Sequence, residues 1–252
     1  MNGPESLFEG IAVGAVPYLN VEPLVRGLHG VRALRPSDLA SALDRGEVDL
    51  ATLPVGALVG RPDLVALPSV GIGADGPVRT VLLEPLEGIE KAMSFRPDPA
   101  SRSSNLLAAL VLRHRLGREV PPDPSAPGPR VVIGDPAFAV APERALDLAE
   151  AWKEWTDLPF VFALWVAGPR LASDPARLRA IDDALASRVA ENLADLDTIC
   201  RQQDVVEPSV AREYLSHHIR HVLDDRFRAG AERFAAELRE QDRHLGGIRW
   251  AC

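Results

Sequence analysis

Short β-branched runs alternate with helix-spaced apolar positions through the first third of the chain. Ile11 to Val16 reads as a buried strand, Val21 to Leu28 as a short helix, Pro36 to Arg45 as a second helix and Asp49 to Leu53 as the next strand. That βαβ rhythm predicts strands running the same way, joined by helices. Val65 to Val70 and Val78 to Glu84 are two further strands, with the Gly-rich stretch Gly71 to Pro77 as the turn between them. The economical outcome is a mostly parallel sheet covered by helical crossovers.

A second unit begins near Pro85. It holds a helix from about Ser104 to Leu116, a Pro-rich loop at Pro121 to Pro129 and a strand at Val131 to Gly134. A helix through Leu146 to Trp155 and an apolar strand from Phe160 to Val166 complete it. Beyond Gly168-Pro169 the pattern is helical: Leu178, Ile181, Leu185, Val189, Leu193 and Leu196 recur at spacings of three and four, one stripe that must pack on the first unit. The expectation is an α/β chain of two lobes, 1–84 with 168–252 and a smaller 85–167. Two crossing segments, Val81 to Pro85 and Val166 to Pro169, would join them beside an interlobe cleft. Ligands in such sheets lie beyond the carboxyl ends of the strands. The polar residues there are Tyr18 and Asn20, Arg79 and Thr80, Ser101 to Asn105, and Asp135.

With 252 residues, 46% hydrophobic and 25% charged, the chain has enough apolar material for such a core. A formal net charge of −8 argues against a broad basic surface, and so against nucleic acid as a partner. The acidic opening Met1 to Glu9 has neither a basic n-region nor an apolar h-region, so a cytoplasmic protein is expected. The longest apolar stretch, Leu158 to Gly168, is about half the ~20 residues that span a bilayer, which predicts no membrane segment. Cys200 and Cys252 are too few for a disulfide framework or a cysteine zinc site; two reduced thiols is the simpler reading, with one bridge left open.

Four constellations could carry chemistry. Ser101-Arg102-Ser103-Ser104-Asn105 stands directly before the apolar Leu106 to Leu110, where hydroxyls cap the helix and its free N–H groups form an anion site. A plain cap beside a surface Arg is the ordinary reading; the extra hydroxyls and the Arg tilt it toward carboxylate binding. Asn20 ends the first strand, as a cap for the next helix or as an amide that orients a ligand. Gly71 to Gly76 fits G-x-G-x-x-G by spacing, but Pro77 and the strand-like Val78 to Leu83 follow where a dinucleotide site needs a helix, so a tight connection is preferred. His217 and His221 have the i, i+4 spacing of a zinc pair, without a third ligand; a solvated helix face is the simpler reading. No G-x-S-x-G, phosphate-binding loop or paired-cysteine motif is present.

Taken together, Tyr18-Leu19-Asn20 with Pro23-Leu24, Gly46-Glu47-Val48-Asp49, Ser101-Arg102-Ser103-Ser104, Ile133-Gly134-Asp135, Asp147-Leu148 with Trp152, and Leu158 to Trp165 resemble one family. It is the chorismate dehydratases of menaquinone biosynthesis by the futalosine route, often called MqnA. The matches run in family order from about residue 11 to 166. Pro17, Glu22, Thr80, Ser103 and Pro136 depart from the usual residues; Thr80 and Ser103 keep the hydroxyl, whereas Glu22 puts in doubt any positive side chain there. The resemblance implies the two-lobed architecture of periplasmic solute-binding proteins. It also implies a hydro-lyase that converts chorismate to 3-[(1-carboxyvinyl)oxy]benzoate without metal or organic cofactor. Asn20 is then the candidate catalytic residue. The candidate substrate-binding set is Tyr18, Arg79, Thr80, Ser101, Arg102, Ser103, Ser104, Asn105, Gly134 and Asp135. No histidine lies in these motifs, so Asp135 is the carboxylate expected nearest the cleft. Two rivals remain: a non-catalytic cytoplasmic protein that binds a small carboxylate, and the sister enzyme that makes 1,4-dihydroxy-6-naphthoate.

Overall fold

The computed structural model describes residues 7–251; residues 1–6 of the acidic opening and Cys252 lie outside the described part. In chain order the elements are β1 (Val13–Ala15), α1 (Glu22–Val25), β2 (Arg32–Ala33), α2 (Pro36–Asp44), β3 (Leu50–Pro54), β4 (Val65–Ala74) and β5 (Val81–Glu84). Then come α3 (Arg102–Leu116), β6 (Arg130–Ile133), β7 (Leu146–Asp147), α4 (Leu148–Thr156) and β8 (Phe160–Ala167). The chain closes with α5 (Pro175–Ala194), α6 (Leu196–Gln202), α7 (Pro208–Glu213), β9 (Arg220–Val222) and α8 (Asp225–Gln241). No described helix is long and apolar enough to cross a membrane.

The large sheet has the order β2-β1-β3-β8-β4-β9. β1 pairs parallel with β2 and β3, as the βαβ rhythm requires. The sheet is nevertheless mixed, because β8 inserts between β3 and β4 and runs antiparallel to both, and β9 adds antiparallel to β4 at the edge. The expectation of a mostly parallel sheet is corrected here. β8 returns from the small lobe and so enters from the opposite end, a placement that hydrophobic periodicity does not encode.

The small sheet, β6-β5-β7, is antiparallel throughout. β5 belongs to it and β8 to the large sheet, so the chain changes sheet between Ala74 and Val81 and again between Asp147 and Phe160. Both changes lie upstream of the divisions expected at residues 85 and 168.

Gly71 and Gly73 are not turn residues as expected; β4 continues to Ala74. They serve close approach instead. A Cβ at Gly71 would stand 2.5 Å from the Ala163 carbonyl oxygen, and one at Gly73 2.5 Å from the Phe227 ring.

Helix α5 lays its Leu178, Ile181, Leu185 and Val189 stripe into the core, as its period requires. Helix α8 binds both lobes. Its Phe234 sits 5.1 Å from Phe160 of β8 and 6.2 Å from Trp152 of α4, ring centroid to centroid, in edge-on geometry. Its buried Glu237 receives Arg113 of α3 at 3.2 Å.

Two family-matching acids act in this framework. Asp49 accepts from the Ala12 N–H and from Arg170, tying the starts of β1 and β3 to the chain leaving β8. Asp147 caps α4 through the N–H groups of Ala149 and Glu150 and also accepts from the Arg79 N–H at 2.7 Å, fixing the first crossing.

Candidate functional site

One cavity, of about 80 Å³, lies where the two lobes meet. Val16, Tyr18 and Asn20 after β1, Thr52 and Pro54 of β3, Ile72 of β4 and Phe162 and Ala163 of β8 form the large-lobe side. The crossing supplies Val78, Thr80 and Val81, and the small lobe Ala100, Ser101, Ser103, Ser104, Ile133 and Gly134. The wall is apolar with hydroxyls and one amide at a few points, and no described residue lining it is charged.

Asn20 falls in a tight turn, Leu19–Val21, at the carboxyl end of β1. Its Nδ2 donates to the Tyr214 hydroxyl at 3.2 Å, and its Oδ1 is buried without a partner. The Tyr214 hydroxyl also bonds Thr80 Oγ1 at 2.7 Å. Behind Asn20, His221 Nε2 bonds the Asn20 carbonyl oxygen at 2.8 Å. Burial pushes the His221 pKa down to about 4 and the Tyr214 phenol upward, so both are neutral near pH 7. Thr52 Oγ1, on the same wall, is likewise buried without a partner. Unmet buried polar atoms on cavity-lining residues are what a ligand's polar groups would satisfy.

The helix tip is built differently. Ser101 caps α3 by accepting from the Ser104 N–H at 3.2 Å, and its hydroxyl donates to Ser104 Oγ at 2.8 Å. Ser103 Oγ accepts from the Gly56 N–H at 2.8 Å, closing the small lobe onto the turn after β3. The hydroxyl hydrogens of Ser103 and Ser104 are therefore free to point at an acceptor. The helix start adds unpaired N–H groups and the positive end of the macrodipole. Gly134, at φ +64° and ψ −149°, holds a conformation that is essentially glycine's own. A Cβ there would meet the Tyr18 ring at 3.4 Å, an ordinary contact, so it is the backbone conformation that calls for glycine.

The structure thus brings Tyr18, Asn20, Thr80, Ser101, Ser103, Ser104 and Gly134 to one cavity. Four other candidates stand off its wall. Arg79 is exposed, at φ +69°, and lines a separate depression with Phe138, Tyr214 and His218. Arg102 is exposed on the first turn of α3 and does not line the cavity. Asn105 is engaged with Asp98, donating to its carbonyl and accepting from its N–H. Asp135 accepts from the Leu19 N–H at 3.4 Å, and burial raises its pKa. On a helix, successive residues point about a quarter-turn apart, so a run of five cannot all face one cavity.

Tyr214 and Thr52 were not singled out by the sequence, and His221 was considered only as half of a zinc-spaced pair, never as a partner of Asn20. Tyr214 and His221 meet Asn20 across 194 and 201 positions, and no local pattern announces that. The helical face expected for His217 and His221 is absent: Tyr214–His218 is a π turn and His221 sits on β9, buried, so the two do not share a face.

Solved structures resemble this architecture. A protein of Archaeoglobus fulgidus aligns over 92% of this chain and 97% of its own at 14% identity and TM-score 0.63. A Candida albicans gene product, described as defining a family with the generic periplasmic binding protein structural fold, aligns over 90% and 89% at 13% identity and TM-score 0.54. The alkanesulfonate-binding protein SsuA of Xanthomonas axonopodis pv. citri, bound to MOPS, aligns over 93% of both chains at 16% identity and TM-score 0.52. At these identities the likeness establishes a fold: a two-lobed α/β protein of the periplasmic-binding-protein class. The family model for menaquinone biosynthesis matches residues 11–240, and the chain belongs to that family.

Proposed function

We propose that the protein removes water from chorismate, giving 3-[(1-carboxyvinyl)oxy]benzoate. Family membership supports a role in menaquinone biosynthesis. The observation that carries the finer reading is the cavity wall: a buried amide oxygen, Asn20 Oδ1, without a partner, in one uncharged enclosure with the hydroxyls of Thr80, Ser103 and Ser104. Chorismate offers a ring hydroxyl to the first and carboxylates to the second. Carboxylates held by neutral donors and a helix start need no cation in the wall.

The reaction asks for positioning more than for acid–base strength. Loss of one ring proton and the ring hydroxyl turns a cyclohexadiene into a benzene ring, and aromatic stabilisation drives it. The substrate's own enolpyruvyl carboxylate takes the ring proton, and Asn20 orients the departing hydroxyl. Asp135, raised by burial but engaged with the Leu19 N–H, is the rival base.

The test follows the cyclohexadiene absorbance when chelator-treated protein meets chorismate. Loss of that band with growth of an aromatic product supports the reading. Tight binding without turnover would make it a binding protein instead. Asp135→Asn retains turnover on this account; a variant that binds chorismate but is inert would move the base to Asp135.

A further inference from the structure

The hydroxyl of Tyr214 carries one hydrogen and makes two hydrogen bonds. It accepts from Asn20 Nδ2, and because the buried phenol has no other acceptor among its described hydrogen bonds, its hydrogen is assigned to Thr80 Oγ1. The order of donation then runs from Asn20 to Tyr214 to Thr80. Two groups on cavity-lining residues are left with open roles: the Thr80 hydroxyl as a donor, and Asn20 Oδ1 as an acceptor. The Asn20 backbone is held as well, because a carbonyl oxygen can only accept and His221 Nε2 must carry the proton that it receives. Tyr214 lies on a π turn, a geometry that often marks functional positions. Its ring is braced edge-on by Phe138 at 5.0 Å between centroids.

We propose that Tyr214 and His221 are positioning residues that fix this donor and acceptor pattern, so that the cavity selects a carboxylate carrying a ring hydroxyl over the same carboxylate without it. The inference rests on the dehydratase reading for the identity of the ligand. Neither residue touches the ligand; both act through Asn20 and Thr80.

Tyr214→Phe keeps the ring and removes only the relay. The expected result is a fall in kcat for chorismate of about ten- to a hundredfold with KM within about threefold, since small misplacements of an orienting group act on the reacting geometry. Equilibrium binding supplies a second readout: the wild type binds chorismate more tightly than its deoxy analogue lacking the ring hydroxyl, and Tyr214→Phe loses that preference. The pair His221→Gln and His221→Leu separates position from packing. Gln retains an N–H for the Asn20 carbonyl and keeps kcat within about threefold, whereas Leu repeats the Tyr214→Phe pattern.

Unchanged kcat and unchanged hydroxyl preference in Tyr214→Phe would overturn the proposal. So would equal loss of affinity for both ligands together with a lowered Tm, or indistinguishable behaviour of the two His221 variants. A wild type that binds chorismate without converting it sinks the dehydratase reading alone, because the hydroxyl preference and its dependence on Tyr214 can still be measured.

Discussion

The two polar walls of the cavity are assembled by opposite strategies. The Ser101–Ser104 pair of the helix tip is a local construction, a cap and a hydroxyl bond across three positions that organise themselves wherever α3 forms, and only Ser103 reaches outside it, to the Gly56 N–H. The Asn20 wall is a long-range construction, since its amide and its carbonyl are held by Tyr214 and His221 from the far end of the chain. The difference teaches where fragility should lie. A local cap survives changes elsewhere in the fold, whereas the orientation of Asn20 depends on the C-terminal segment closing correctly over the large lobe.

That contrast can be sharpened by substitution. Asn20→Ala is expected to show the largest effect, a loss of about a hundredfold or more in kcat with a smaller change in KM, read by steady-state kinetics; full retention of kcat would remove the amide from the chemistry. The next effect is one of pH. With the His221 pKa pushed down to about 4 from 6.5, the folded protein holds the neutral ring while the unfolded chain takes up a proton. The stability contributed is complete above pH 6.5 and is lost as pH falls toward 4, by up to about 3 kcal/mol. Urea unfolding across that range should show the slope, and His221→Gln should flatten it.

Ser101→Ala addresses the local wall. It should lower stability by about 1 kcal/mol through the lost cap and raise KM more than it lowers kcat. Arg102→Ala is expected to have the smallest effect, a change in stability within about 0.5 kcal/mol and near-normal kinetics, because the guanidinium stands off the cavity. A large rise in KM there would mean that an arginine reaches the ligand after all, and that the wall is not uncharged when occupied.

Much of the fold was legible because local chemistry wrote it. Pro36 at the start of α2, the Ser101 cap of α3 and Gly117 at φ +64° after its last turn bracket helices in the expected places. The α5 stripe announced its buried face. β1, β3, β4, β5, β6 and β8 were found where apolar runs occur, whereas the short β2, β7 and β9 were not, and neither were the pairings, since an apolar run from Phe160 reads the same at a sheet's edge or between β3 and β4. Gly71 and Gly73 misled for a related reason: a glycine needed for close approach of Phe227 and the β8 backbone looks identical to one needed for a turn.

The site divides in the same way. Tyr18, Asn20, Thr80 and the serines stood out as polar residues at strand ends and a helix start, and the cavity gathers them. The sequence could not separate Ser103 and Ser104 from Arg102 and Asn105, because which side of α3 faces the cleft follows from how the helix packs on the small sheet and on the turn after β3. Nor could it join Asn20 to Tyr214 and His221. By itself the sequence determined elements, caps and the chemical types available, all properties of a few neighbouring residues. Only the tertiary structure decided which of those groups share an enclosure and which of their hydrogen bonds are left open, because burial and pairing belong to contacts between segments far apart along the chain.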